Sequence, residues 1–259
     1  MLSHFKNSAI AWELRRARRP AAYWLAERSF LERVIPQGLG CIIDVGASSG
    51  GKTEIFLTLA PNVVAIEPDP LAAETLRRRF RWRSVEIIEA AVSNAHGTAT
   101  FYQFEPASAF NTLDVNWARC MTDGSNHMQK RLNAPHAITV RTVTLSEIEQ
   151  RYRPVKYIKI DAEGYEAEIL STLTFITPLV SMEFNLPQMW PALHKCLGHL
   201  MRISASYRFN LAITEPPLRF ALAEWGNADA ITDAIVQNDW RYAEVYAAFS
   251  SSSLQSSNC

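Results

Sequence analysis

The sequence predicts an α/β protein with a mostly parallel sheet covered on both faces by helices. Three observations carry that prediction. Short apolar runs alternate with helix-like segments along most of the chain, the pattern of strands buried between helical layers. The first run, Cys41-Ile42-Ile43-Asp44-Val45, ends in a glycine-rich loop and leads into the helix-like stretch Thr53 to Leu57. The second, Val63 to Ile66, is closed by Glu67-Pro68, which puts an acidic residue at its carboxyl end.

The remaining elements follow in order. Residues 8–34 carry Ile10, Leu14, Leu25, Leu31 and Val34 among basic residues, which predicts amphipathic helix broken near Pro20 and an N-terminal helical appendage over 1–36. A core domain over 37–249 then contains a basic helix from Leu71 to Phe80 and a strand from Val85 to Ala91. Thr98 to Phe104 and Ile138 to Val143 read as β segments flanking a polar, turn-rich loop or lid over 105–136. Further strands are expected over Val155 to Ile160, Leu179 to Phe184, Phe209 to Ile213 and Tyr242 to Phe249. Helices are expected over Glu166 to Leu173, from Pro191 to about Tyr207, and over Ile231 to Gln237. The serine-rich stretch 250–259 reads as a disordered tail.

Bulk properties narrow the function. A chain of 259 residues with 48% hydrophobic and 20% charged residues has enough apolar material for one large core. The 26 basic residues balance 26 acidic ones, so no global field gathers nucleic acid or an anionic bilayer. The Arg15, Arg16, Arg18, Arg19 cluster is a local exception, a weak candidate for contact with a membrane surface. Cys41, Cys120, Cys196 and Cys259 are scattered, without CxxC or zinc-ligand spacing. Charges at Lys6, Glu13, Arg15 and Arg16 interrupt any signal peptide, and no later run is long enough to span a bilayer, so a cytoplasmic location is expected.

The glycine loop admits two readings. Gly46 through Thr53 satisfies G-x-x-x-x-G-K-T, the pattern of a P-loop NTPase, with Lys52 for phosphates, Thr53 for magnesium and Asp161 as the second metal ligand. Lys159 speaks against this, because it charges the strand that would carry the aspartate. The competing reading rests on Asp44, two residues before Gly46, whose anion repels a triphosphate but suits a cationic or zwitterionic ligand such as S-adenosylmethionine. Glu67 then stands where an acidic residue accepts hydrogen bonds from ribose hydroxyls. The dinucleotide fingerprint G-x-G-x-x-G is not met, since Ser48 occupies the second glycine position.

Several blocks together resemble the FkbM methyltransferase family. They are Ile43-Asp44-Val45-Gly46-Ala47 with Gly50 and Thr53, Ala65-Ile66-Glu67-Pro68-Asp69-Pro70, Glu89-Ala90-Ala91-Val92-Ser93, Val143-Thr144-Leu145, Ile158 through Glu166, and Met182-Glu183. Order and spacing agree over roughly residues 40–185. Two positions depart from the family pattern: Ser48 replaces an asparagine, and Ser146 an aspartate.

The resemblance implies a Rossmann-like class I methyltransferase fold, a seven-stranded, mostly parallel sheet with a C-terminal antiparallel hairpin. It implies S-adenosyl-L-methionine as methyl donor and a hydroxyl on a sugar, glycan or natural product as acceptor. By position, Asp44, Gly46, Ser48 and Gly50 would line the methionine and ribose end, Glu67 would hold the ribose, Asp69 would assist near the adenosine, and Ala90 and Ala91 would border the adenine. On the acceptor side Asp161, Glu163 and Glu183 are expected to cluster at the strand tips, Asp161 being the first choice for the proton. Capping of the helix that follows is the competing role for Asp161 or Glu163. No spacing demands a metal ion. Lys159 is expected in a salt bridge, and none of the histidines receives a role. A P-loop NTPase and a catalytically silent Rossmann-like binding module are the alternatives.

Overall fold

The structure is a computed structural model that describes residues 21–213 and 217–249. The Arg15–Arg19 cluster, most of the expected appendage and the 250–259 tail lie outside the described residues.

The first described element, α1 (Ala21–Val34), precedes β1 (Cys41–Val45), α2 (Gly51–Leu59), β2 (Asn62–Ile66), α3 (Pro70–Phe80) and β3 (Val85–Ile88). A second group follows: β4 (Ala91–Val92), β5 (Gly97–Gln103), α4 (Val115–Asp123), β6 (His136–Val143) and α5 (Leu145–Tyr152). The chain then returns through β7 (Val155–Ile160), α6 (Glu166–Leu170), β8 (Leu179–Asn185), α7 (Trp190–Ile203), β9 (Tyr207–Ile213), β10 (Arg219–Phe220), α8 (Ala228–Gln237) and β11 (Tyr242–Phe249).

The main sheet has the order β10-β9-β11-β8-β7-β1-β2-β3. Its centre is parallel, and β11 runs antiparallel to both β8 and β9. The seven expected strands are therefore joined by one more, the two-residue β10 on the outer edge of β9. Both β1 and β7 are buried along their whole length, as central strands covered on two faces must be. The chain steps outward from β1 to β3 and comes back on the other side of β1 as β7. A crevice therefore opens at the carboxyl ends of β1 and β7, where ligands of doubly wound sheets lie.

Two expectations are corrected. The segment 105–136 is not all loop: Trp117, Ala118 and Met121 recur on one face and are buried, which holds α4 against the core between an Asp114 cap and Gly124. Nor is the end of the N-terminal segment an appendage. Phe30 and Leu31 of α1 are buried in one cluster with Ile42, Ile55, Tyr157 and Tyr246, so this helix is a layer of the core. The β segments around α4 form a separate sheet of order β4-β6-β5, which sits beside the crevice. Helix α6 is shorter than expected and ends at Leu170.

Candidate active site

The crevice is a cavity of about 680 Å³, within the usual range for small-molecule sites. Its floor is the glycine turn. Gly46 has φ +75°, and a Cβ there would lie 1.8 Å from the carbonyl oxygen of Asp161, so the turn packs backbone to backbone against the end of β7. The amides of Gly46 and Ala47 donate to the Ile66 carbonyl at 3.0 and 3.1 Å, which ties the turn to β2. Gly50 serves a different purpose from the one expected. A Cβ there would strike Phe80 at 2.4 Å, so it lets α2 pack on α3 and does not line the cavity.

The acidic residues of this end differ in their surroundings. Glu67 lines the cavity and accepts hydrogen bonds from the amides of Ser48 (2.8 Å) and Asp69 (2.9 Å). Burial nevertheless pushes its carboxyl up to about 7. Asp44 is fully buried beneath the turn, where Oδ2 accepts from the Thr53 hydroxyl at 2.6 Å and Oδ1 lies 3.9 Å from Lys159 Nζ. It faces a smaller adjoining pocket of about 160 Å³ rather than the main cavity, and its Oδ1 has no hydrogen-bond partner among the described residues. Asp69 departs from expectation outright: both its oxygens are occupied by protein donors and it does not line the cavity. Ser48, Ala90 and Ala91 do line it, the two alanines almost completely buried.

At the other end the structure brings Asp161, Glu163 and Glu183 together. All three line both the main cavity and an adjoining chamber of about 260 Å³. Lys159 pairs with Asp161 at 2.9 Å, the expected salt bridge, and the two carboxylates beside it hold its ammonium charged against the cost of burial. Neither Asp161 nor Glu163 caps the following helix. The N-cap residue, Tyr165, makes no side-chain cap hydrogen bond, and Glu166, the first residue of α6, folds back on the preceding turn, its carboxylate accepting from the amides of Ala162 (2.9 Å) and Gly164 (3.1 Å). Glu183 accepts from the Tyr242 hydroxyl at 2.8 Å, and burial together with Asp161 raises its carboxyl toward neutrality.

Sequence reasoning missed two contributors. Tyr242 reaches Glu183 only because β11 returns antiparallel on β8, a register no local pattern announces. His127 lines the small chamber instead of facing bulk solvent; its Nδ1 is shielded, and burial and then Arg241 lower its pKa, which favours the neutral ring. Residues 107–113, within the stretch expected as a loop or lid, roof the main cavity. Trp190, Trp225 and Trp240 pack against the hydrophobic clusters.

The P-loop residues have partners within the protein, although Lys52 borders the main cavity. Lys52 forms an ion pair with Glu27 of α1, and the Thr53 hydroxyl is bonded to Asp44. Among the described residues no group of three acidic, histidine or cysteine side chains is arranged to hold a metal ion, and no helix is long and apolar enough to cross a membrane.

Residues 44–209, well over half of the chain, match the family described as the methyltransferase FkbM domain. Among solved structures, Methyltransferase FkbM from Methylobacillus flagellatus KT superposes with a TM-score of 0.46 at 13% identity, covering 81% of this chain and 43% of that one. A TehB-like SAM-dependent methyltransferase from Corynebacterium glutamicum gives 0.47 at 11% identity, covering 96% and 100%. A curated protein of Thermococcus onnurineus (strain NA1), named "Probable ribosomal RNA small subunit methyltransferase A", is 37% identical over 59 residues. That stretch is 23% of this chain, which thus spans about a fifth of the relative's length (22%). By its family match, the chain belongs to the FkbM methyltransferase domain family.

Proposed function

We propose that the protein transfers the methyl group of S-adenosyl-L-methionine to a hydroxyl oxygen of a sugar, glycan or natural product. One observation carries the reading: a single crevice with a nucleoside-sized cavity at the glycine turn, continuous through Asp161, Glu163 and Glu183 with a smaller polar chamber.

The residues present fit such a donor. Glu67 offers a carboxylate to ribose hydroxyls, and Ala90 and Ala91 give a small apolar wall for a purine. Asp44 Oδ1, which accepts no hydrogen bond among the described residues and lies 3.9 Å from Lys159 Nζ, offers an acceptor for an ammonium group at the adjoining 160 Å³ pocket. When bound, the sulfonium supplies an electrophilic methyl carbon.

The chain's own part is to align an acceptor oxygen and to take its proton. Asp161, the first choice on sequence grounds, is tied to Lys159 and better placed to orient the acceptor. Glu183 suits the base, since its carboxyl is raised toward working pH and the Tyr242 hydroxyl fixes it. Among the described residues no arginine or lysine lines the 260 Å³ chamber, which favours an uncharged polyhydroxyl acceptor over a phosphate or carboxylate.

Calorimetry tests the donor assignment: S-adenosylhomocysteine binds and Mg-ATP gives no heat of binding. Binding of Mg-ATP with no binding of the nucleoside thioether would return the P-loop reading. Incubation with methyl-labelled donor and a panel of sugars and polyketides then tests turnover. Donor binding without transfer to any of them would favour the silent module.

A further inference from the structure

We propose that Asp69 is a positioning residue for the donor site, a post that holds the roof over the cavity and thereby slows entry and exit of the nucleoside. This inference rests on the donor reading given above.

Asp69 is 1% exposed and its carboxylate accepts five N–H groups. Oδ1 takes the amides of Leu71 (2.9 Å) and Ala72 (3.2 Å), capping α3. Oδ2 takes three donors from another part of the chain: Gln103 Nε2 at 2.7 Å, the Ala107 amide at 2.9 Å and Asn111 Nδ2 at 3.0 Å. No cation is among these partners, so the buried charge is compensated by N–H dipoles alone, each a charge-assisted hydrogen bond.

Those donors flank the roof. Residues 107–113 line the cavity, and Asn111 also accepts the Phe104 amide at 2.8 Å and donates to the Glu105 carbonyl at 2.8 Å, which folds the segment around its own side chain. At its far end the Thr112 hydroxyl donates to the Glu163 carbonyl at 2.8 Å. The roof thus spans from the loop after β2, beside Glu67, to the turn after β7, beside the acceptor chamber. Ala107 sits at φ +58°, a left-handed conformation that alanine adopts only when its surroundings impose it. The bond from its amide to Asp69 is the local restraint, so the roof is held by Asp69 rather than by its own preference.

The test compares dissociation rates of S-adenosylhomocysteine by stopped flow with hydrogen exchange of the 104–113 peptide. Asp69→Ala removes both the cap and the post and is open to failure in folding. Gln103→Ala, at a residue that does not line the cavity, leaves the cap on α3 intact and weakens only the roof; Asn111→Ala also spares the cap but alters a lining residue, so Gln103→Ala is the decisive variant. We expect both of these to speed dissociation by about tenfold, the loss typical of one hydrogen bond to a charged group, and to speed exchange of the roof amides while α3 stays protected. Association should accelerate as well, which general destabilisation would not produce. If the unaltered protein binds the ligand and the variants leave both rates and the exchange unchanged, the inference is overturned while the donor reading stands. If the unaltered protein does not bind the ligand, the donor reading falls and the inference with it.

Discussion

The two ends of the crevice hold their buried carboxylates differently. At the donor end Glu67 and Asp69 rest on amide N–H groups: Glu67 on the backbone of Ser48 and Asp69, and Asp69 on the backbone of Leu71, Ala72 and Ala107 and the side-chain amides of Gln103 and Asn111. Asp44 beneath the turn is the exception, resting on the Thr53 hydroxyl and Lys159. At the acceptor end the carboxylates rest on side chains, Asp161 on Lys159 and Glu183 on Tyr242, and they crowd one another. Amide N–H groups cannot change charge, so they fix the place of the donor-end carboxylates. At the acceptor end Glu183, raised toward neutrality by burial and then by Asp161, is placed to gain and lose a proton, which a group that accepts a hydroxyl proton must do.

The sharpest way to break this contrast is to remove the cation under it. Lys159→Met leaves Asp44 and Asp161 without their shared counter-charge, and we expect a loss of about 3–5 kcal/mol in denaturant unfolding. A loss below about 1 kcal/mol would mean that Lys159 does not hold the two ends together. Gly46→Ala comes next. Its Cβ meets the Asp161 carbonyl and its φ is unsuited to alanine, so about 2–4 kcal/mol of stability should go, along with donor binding. Unaltered melting would show that the turn can relax away from β7.

Much of the donor end was legible because its parts are local. A strand, a glycine turn and an acid at the next strand tip are read from adjacent residues, and Gly46, Ser48, Glu67, Ala90 and Ala91 line the cavity. Gly50 and Asp69 were misread for one reason: each lies in the right motif, but its contacts, Phe80 in one case and residues 103–111 in the other, come from distant chain. The acceptor carboxylates were legible as strand tips. Tyr242 and His127 were not, because antiparallel register and the placing of the segment after α4 depend on tertiary packing. Likewise the helix inside 105–136 was hidden by its polar flanks, and its stabilising face is only Trp117, Ala118 and Met121.

A middle-sized effect sharpens the contrast. Glu67→Ala should weaken S-adenosylhomocysteine binding by about 1–3 kcal/mol, with melting of the unliganded protein little changed. Affinity should also fall as pH drops through about 7, because the ribose hydroxyls need the ionised carboxylate. A pH-independent affinity in calorimetry would remove Glu67 from the ribose.

Stability should follow pH in the reverse sense. Glu67, Glu166 and Glu183 all have folded-state pKa values raised above the ordinary glutamate value of 4.5. Their contribution is full below 4.5 and is lost as pH rises toward about 8, the value reached by Glu166. Thermal melts of Glu183→Gln should therefore decline less steeply over that window than those of the unaltered protein, and an equal slope would show that Glu183 is not strained by burial. The smallest effect on donor binding belongs to Lys52→Ala. It removes the ion pair to the buried Glu27 and should cost about 1–3 kcal/mol of stability while leaving donor affinity within twofold. Loss of nucleotide binding in that variant would revive the P-loop role.

The most direct measurement is a crystal structure with S-adenosylhomocysteine. The ribose hydroxyls should lie on Glu67, the adenine against Ala90 and Ala91, and the sulfur should face the chamber bounded by Asp161, Glu163 and Glu183. A nucleoside lodged elsewhere, or a sulfur turned away from those three carboxylates, would contradict the account.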